Sequence, residues 1–303
     1  MTEFDPLSDL PTIGGSSSRL RAGNAVGPGG RYVLEKEAGR GGMGVVWRAR
    51  DTQLDDRPVA LKFLPEVLAA DEIALQDLRR EARTMLELTY PGIVRLHTLE
   101  ADEGLLFLVM EWLEGPTLRG ALADCRQTER GLSAEDALWM LEEVAAAMDH
   151  AHEQGVLHRD IKPANLMLTK PAAAPLNQCD AHVKLTDFGI AYVASTSFTQ
   201  LTGHSHTSGT LPYMAPELIT GGRPSQASDL YALGATLYEL IAGEPPFCRG
   251  DISLQIRKQE PPSLDSGDPA LDAAIAAALA KDPAERPASA TALLRAAQGK
   301  RLR

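Results

Sequence analysis

His158-Arg159-Asp160-Ile161-Lys162-Pro163-Ala164-Asn165, joined further on by Asp187-Phe188-Gly189, is the stretch from which the rest of the chain can be read. Asp160 stands between the cations Arg159 and Lys162. A carboxylate so placed can orient an acceptor hydroxyl and take up its proton. Asn165 supplies a neutral oxygen and Asp187 an anionic one, the donor types that a hard cation such as Mg2+ prefers. Each fragment alone has a plainer reading, Asp187-Phe188-Gly189 as a turn and His158-Arg159-Asp160 as a capped helix end. Together and in this order they point to a site.

Toward the N-terminus, Gly39, Gly41 and Gly44 stand in a G-x-G-x-x-G-x-V order closed by Val46, just after Tyr32-Val33-Leu34. Glycine at such places lets backbone amides approach phosphate oxygens with no Cβ in the way. The same spacing serves as an ordinary turn or, where a helix follows at once, as a dinucleotide-binding loop. Here Val45-Val46-Trp47-Arg48-Ala49 reads as a strand, which favours a strand-loop-strand lid and leaves the plain turn open. Lys62 closes Val59-Ala60-Leu61-Lys62, a charge in an apolar run, and is either a solvated strand end or half of a buried pair. Leu75, Leu78, Ala82 and Met85 recur at steps of three and four, which predicts a helix carrying Glu81 near its inward face. An inward carboxylate needs a cation and Lys62 can serve; a weak surface pair with Arg79, Arg80 or Arg83 is the alternative.

The chain has 303 residues, 44% of them hydrophobic, enough for a globular core. Its net charge of −11 disfavours nucleic acid and anionic membrane surfaces as partners. Residues 1–30 are rich in Gly, Ser and Pro and read as a flexible leader without the basic start and apolar stretch of a secretory signal. No apolar run approaches the roughly 20 residues of a membrane span. Cys125, Cys179 and Cys248 share no metal-site spacing, and their odd number fits a reducing cytoplasm. From Tyr32 to Val109 short β-branched and aromatic runs predict strands around one inserted helix. Beyond Gly115 the pattern predicts helices over Glu135 to Glu153, Asp229 to Ala242 and Leu271 to Ala280. Lys170 to Asp180, with Pro171 and Pro175, predicts an exposed, extended loop.

With Ala215-Pro216-Glu217 added, the motifs stand in the order of the protein-kinase signature set, and the chain resembles the eukaryotic-like (Hanks-type) serine/threonine kinases of bacteria. The resemblance runs from about Arg31 to about Gln298. It implies an α+β bilobal fold, with an antiparallel N-lobe sheet and one helix over about 31–112, an α-helical C-lobe over about 113–298 and a short tail at 299–303. It implies ATP and Mg2+ as cofactors and protein Ser/Thr hydroxyls as acceptors. Gly39, Gly41 and Gly44 would cover the phosphates, Lys62 braced by Glu81 would hold them, and Asn165 with Asp187 would carry the metal. Asp160 would be the base and Lys162 a fixed positive charge near the transferred group. Lys162 and Thr210 favour serine or threonine acceptors over tyrosine. Adenine would lie between Val46 and Ala60 on one side and Met167 on the other, with backbone contacts from Glu111 to Leu113. Met110 would be the gatekeeper, and plain core packing remains the alternative for both methionines. Scaffold roles fall to Arg286, expected to pair with Glu217, and to Asp229, expected to anchor the catalytic strip.

Arg159 before Asp160 implies activation by a phosphate on the segment between Gly189 and Gly209, where Thr202, then Thr207, are favoured among many hydroxyls. Autophosphorylation is expected there, with room for a homodimer during it. His204 and His206 read as solvated rather than metal-binding. Met85, Leu96, His158 and Phe188 occupy positions that would stack in an active state. A catalytically silent scaffold and a small-molecule phosphotransferase are the competing classes. The first is opposed by the presence of Lys62, Asp160, Asn165 and Asp187, the second by Ala215-Pro216-Glu217 and the helices to Arg295.

Overall fold

The computed structural model describes residues 20–41, 44–66, 68, 71–125, 131–172, 175–188 and 209–299. These fall into two compact units. Residues 20–86 and 95–112 belong to the first; residues 87–94, 113–188 and 209–299 belong to the second.

Among the described residues the first unit is a six-stranded antiparallel sheet, in the order β1-β2-β3-β4-β6-β5, with one long helix. The strands are β1 (Ala25–Val26), β2 (Tyr32–Gly41), β3 (Gly44–Asp51), β4 (Arg57–Phe63), β5 (Leu96–Asp102) and β6 (Leu105–Glu111), with α1 (Glu72–Glu87) between β4 and β5. Strand alternation sends Tyr32, Leu34, Val45, Trp47, Val59, Leu61, Phe63, Phe107 and Val109 into one core. Phe107 meets Tyr32 edge-on at 6.0 Å and Phe63 at 5.1 Å. Each side chain of this size, fully buried, contributes about 1.5–3 kcal/mol. The α1 periodicity is realised as expected, with Ala74, Leu78, Ala82 and Met85 buried. One short element departs from the sequence reading. Ala25–Val26, within the stretch read as leader, pairs with Val33 and Tyr32, and the Gly27 N–H donates to the Asp102 carboxylate at 2.8 Å. Two residues are too few to show a period, so composition alone could not place them.

The second unit is helical around a two-stranded hairpin of β7 (Leu166–Leu168) and β8 (Val183–Leu185). Its helices are α2 (Leu118–Cys125), α3 (Ala134–Glu153), α4 (Pro216–Ile219), α5 (Gln226–Ala242), α6 (Ile252–Lys258), α7 (Pro269–Ala278) and α8 (Ala290–Ala297). Every residue from Ser228 to Leu240 is buried, so α5 is enclosed on all faces, as its apolar composition demands. It begins before Asp229 because Ser225 and Ser228 form a reciprocal cap, and it ends at Gly243 in the left-handed region (φ 83°). α7 likewise starts two residues ahead of its periodic core, at Pro269 behind the Asp268 cap.

Among its described residues the Lys170 to Asp180 stretch is mostly exposed, as expected, but it is not extended throughout, because a 3-10 turn over Leu176–Gln178 anchors it. Leu176 is 1% exposed, and the Asn177 N–H donates to the Asp136 carboxylate of α3 at 2.9 Å. A single apolar residue among prolines and alanines gives no period, so its anchoring was not legible. Among the described residues no helix is long and apolar enough to cross a membrane.

Candidate active site

The strip before β7 gathers four of the expected residues. Lys162 Nζ lies 3.0 Å from Asp160 Oδ1 and 2.9 Å from Oδ2. The Thr210 hydroxyl donates to Asp160 Oδ1 at 3.0 Å and accepts from Lys162 Nζ at 3.1 Å. Asn165 Nδ2 donates to Asp160 Oδ2 at 2.9 Å and to the Asp160 carbonyl at 2.7 Å. That orientation turns the Asn165 Oδ1, the oxygen suited to a metal ion, away from Asp160. The Asp160 side chain keeps 17% of its surface, enough to meet a hydroxyl from outside. The link from Thr210 to Asp160 was not foreseen, because it joins residues fifty positions apart.

Asp229 builds the strip from inside α5. It is 1% exposed and accepts from the backbone N–H groups of His158 and Arg159, each at 2.8 Å, with His152 Nε2 at 2.9 Å. His152, at the end of α3, is a further member of this group that the sequence reading missed; a histidine in a helical last turn carries no signal of its tertiary partner. Arg159 and Asp187 both hold positive φ, 66° and 60°, a conformation rare outside glycine that surrounding bonds must maintain. Near Asp187, the Thr186 N–H donates to the Asn165 carbonyl at 2.9 Å and the Leu185 N–H to the Gly92 carbonyl at 2.8 Å. The His158 ring packs 4.4 Å from Phe188, and burial holds its imidazole below the ordinary histidine range, so it sits in the core as the neutral form. Arg286 and Glu217 form the expected pair, two parallel bonds of 2.7 and 2.8 Å, with the arginine side chain wholly buried.

In the first unit the strand register sorts the named residues onto one face. Val46 pairs with Lys62, and Ala60 pairs with Met110. All four therefore share the face opposite the aromatic core. Lys62 is 6% exposed, which removes the solvated strand end as a reading. Glu81 is half-buried on α1, one residue from buried Ala82. Gly44 is dictated by the fold: φ is 125°, and a Cβ there would lie 1.8 Å from the Phe63 carbonyl oxygen. Gly39 and Gly41 are not, since a Cβ on either meets nothing within 4 Å. Their bareness leaves space at the β2–β3 turn, as a phosphate cradle requires. The Glu111 N–H is already spent on the Arg95 carbonyl at 2.9 Å. Met110 and Met167 are partly buried, and Leu113 is buried at 7% exposure. Gly189, Thr202, His204, His206 and Thr207 lie outside the described residues.

Residues 32–296 match the family described as Protein kinase domain. The serine/threonine-protein kinase PknJ of Mycobacterium tuberculosis is 38% identical over 268 residues, 86% of this chain and 43% of that protein. The serine/threonine-protein kinase PrkC of Bacillus subtilis is 35% identical over 85% of this chain and 38% of its own length. The chain thus spans less than half the length of these curated relatives. Among solved structures, the PknI kinase domain of Mycobacterium tuberculosis superposes with a TM-score of 0.71 at 26% identity, covering 93% of this chain and all of that one.

Proposed function

The chain belongs to the protein kinase domain family, and from that premise we propose that it transfers the γ-phosphate of ATP to serine and threonine hydroxyls of proteins. The observation that carries the reading is the Asp160 carboxylate, bonded at once by Lys162, Asn165 and Thr210 and still reachable from outside.

Asp160 accepts the proton of the acceptor hydroxyl and orients its oxygen. Lys162, within 3 Å of the carboxylate, meets negative charge developing on the transferred group. Thr210 ties both to the segment that follows Gly209, so the side chain expected to tell serine and threonine from tyrosine is bonded to the base itself. The residues fit the implied cofactors. Asn165 Oδ1 and the Asp187 carboxylate form a hard-oxygen set for Mg2+, which when bound would screen the phosphate charges. Gly39, Gly41 and Gly44, with Lys62 braced by Glu81, would hold the phosphates, and Val46, Ala60, Met110 and Met167 would flank adenine. The Glu111 carbonyl and the Leu113 backbone would be the polar contacts, since the Glu111 N–H is engaged.

Arg159, held beside the base by Asp229, would be the docking point for a phosphate on Thr202 or Thr207, placed there by a second copy of the chain. Mass mapping after incubation with Mg-ATP that finds no phosphate between Ile190 and Ser208 sinks this part. A cytoplasmic place in signalling belongs to the same reading, supported by the unpaired Cys179 and Cys248. Labelled ATP and a generic basic protein test the activity. Asp160→Asn should lose about 10²–10⁴-fold in rate with an unchanged urea midpoint, the usual worth of a general base. Equal turnover by the two proteins refutes it.

A further inference from the structure

The indole of Trp112 is held by two cations that no role assigned so far requires. Lys36 Nζ lies 5.9 Å and the Arg48 guanidinium 5.6 Å from its ring centroid, both within reach of the negative face of the ring. Glu35 steadies that guanidinium at 2.5 Å. Trp112 directly follows β6, and the cations come from β2 and β3, the two strands joined by the turn that carries Gly39, Gly41 and Gly44. The register sets them in a row. Lys36 pairs with Arg48, Arg48 with Ala60 and Ala60 with Met110, so the row leads from the cations across small Ala60 to the residue two positions before the indole. Among the described residues the buried indole N–H has no hydrogen-bond partner, a penalty that a phenylalanine or a leucine would not carry. The face of the ring, and not its N–H, is what the contact uses.

β2 needs such a tie. Its outer neighbour β1 pairs with Tyr32 and Val33 alone, and its ladder to β3 slips twice, between Leu34 and Lys36 and again between Glu37 and Gly39. Slips of this kind bend and twist a strand, so the ladder by itself does not fix where the turn lies over the sheet face. Lys36 stands between the two slips, where a contact from outside the ladder has the most leverage. The far end of the tie is anchored. The Glu111 N–H donates to the Arg95 carbonyl at 2.9 Å, and the Arg95 N–H donates to the Glu111 carboxylate at 3.3 Å, which pins the backbone just before Trp112. A chain takes up nucleotide only in the fraction of molecules whose turn is in place, and apparent affinity falls in proportion to that fraction.

We propose that Trp112 is a positioning residue for the nucleotide: through Lys36 and Arg48 it holds the β2–β3 turn over the face that carries Val46, Ala60 and Lys62, and it needs an aromatic ring to do so. The assignment rests on the reading of this face as an ATP site. Its test is the dissociation constant of ATP with Mg2+ by calorimetry on the full chain, together with KM for ATP and kcat. Trp112→Leu, apolar but without a ring face, should weaken ATP about tenfold and raise KM by a similar factor, with kcat unchanged at saturating ATP. Trp112→Phe should restore most of that affinity. Lys36→Met, at an exposed side chain, should cost about threefold in the unaltered chain and nothing in the Trp112→Leu chain, the coupling expected of one shared contact. A lower kcat with unchanged KM, a phenylalanine no better than leucine, or equal costs of Lys36→Met in both chains overturns the proposal. Should Trp112→Leu fail to fold, Lys36→Met against Lys36→Arg reads the same tie: weaker ATP with the first and not with the second is expected, and equal affinity overturns the assignment. ATP affinity that is the same in every variant sinks the role of Trp112 and leaves the phosphotransfer reading standing, whereas an unaltered chain that binds no ATP sinks both.

Discussion

Replacing Asp229 tests the architecture beneath the catalytic strip. Its carboxylate, 1% exposed, accepts from the His158 and Arg159 N–H groups at 2.8 Å each and lies 2.9 Å from His152 Nε2. Asp229→Ala leaves two buried backbone donors with no acceptor, at about 1–3 kcal/mol each. With the lost contact to His152 the total comes to about 4 kcal/mol. Asp229→Asn keeps one acceptor oxygen but turns an NH2 toward donors, which should cost about 2 kcal/mol. Urea unfolding followed by intrinsic fluorescence reads both values. Activity should fall further than stability alone explains. Arg159 sits at a φ of 66°, a conformation that costs about 1–3 kcal/mol, and the bond from its N–H to Asp229 helps to hold it there. Once that bond is gone the backbone relaxes and Asp160, the next residue, shifts away from Lys162 and Thr210. A displacement of about 1 Å costs on the order of 100-fold in rate. If Asp229→Ala unfolds within about 1 kcal/mol of the unaltered chain, the hydrogen-bond reasoning is refuted. If it is destabilised yet transfers phosphate at the normal rate under conditions where it stays folded, the positioning role is refuted.

Gly44→Ala should destabilise by more than about 3 kcal/mol, because its Cβ would sit 1.8 Å from backbone oxygen at positive φ, whereas Gly41→Ala should leave the melting temperature unchanged and weaken nucleotide binding; thermal shift with and without ATP separates the two. Burial lowers the His158 imidazole below its ordinary value, so the unfolded chain takes up a proton more readily and stability is lost as pH falls through about 6.5. His158→Phe should flatten that slope by up to about 1.4 kcal/mol per pH unit, leaving the contribution of His97, which burial shifts the same way; an unchanged slope in urea midpoints against pH counts against it. Arg286→Ala strands Glu217 and should cost about 3–5 kcal/mol by urea titration, and Arg286→Lys should recover only part of that loss because one ammonium cannot make both parallel bonds.

The sequence by itself determined what depends on local order and period. The α1 face of Leu78, Ala82 and Met85, the strand runs of the first unit, the all-apolar α5 and the linear motifs around Asp160 and Asp187 follow from side-chain type and spacing, which fix a helix face or a strand face without reference to distant residues. Tertiary structure decided whatever joins residues far apart in the chain. Thr210 reaches Asp160 across fifty positions, His152 shares Asp229 across seventy-seven, and Leu176 is buried although its neighbours spell an exposed loop. Likewise Gly44 is held by the Phe63 carbonyl, and Lys62 is buried because the strand register places it on a covered face of the sheet. Glycines that look alike in the sequence thus divide into one the backbone requires and two it does not, a distinction set by which atoms stand within van der Waals reach after folding.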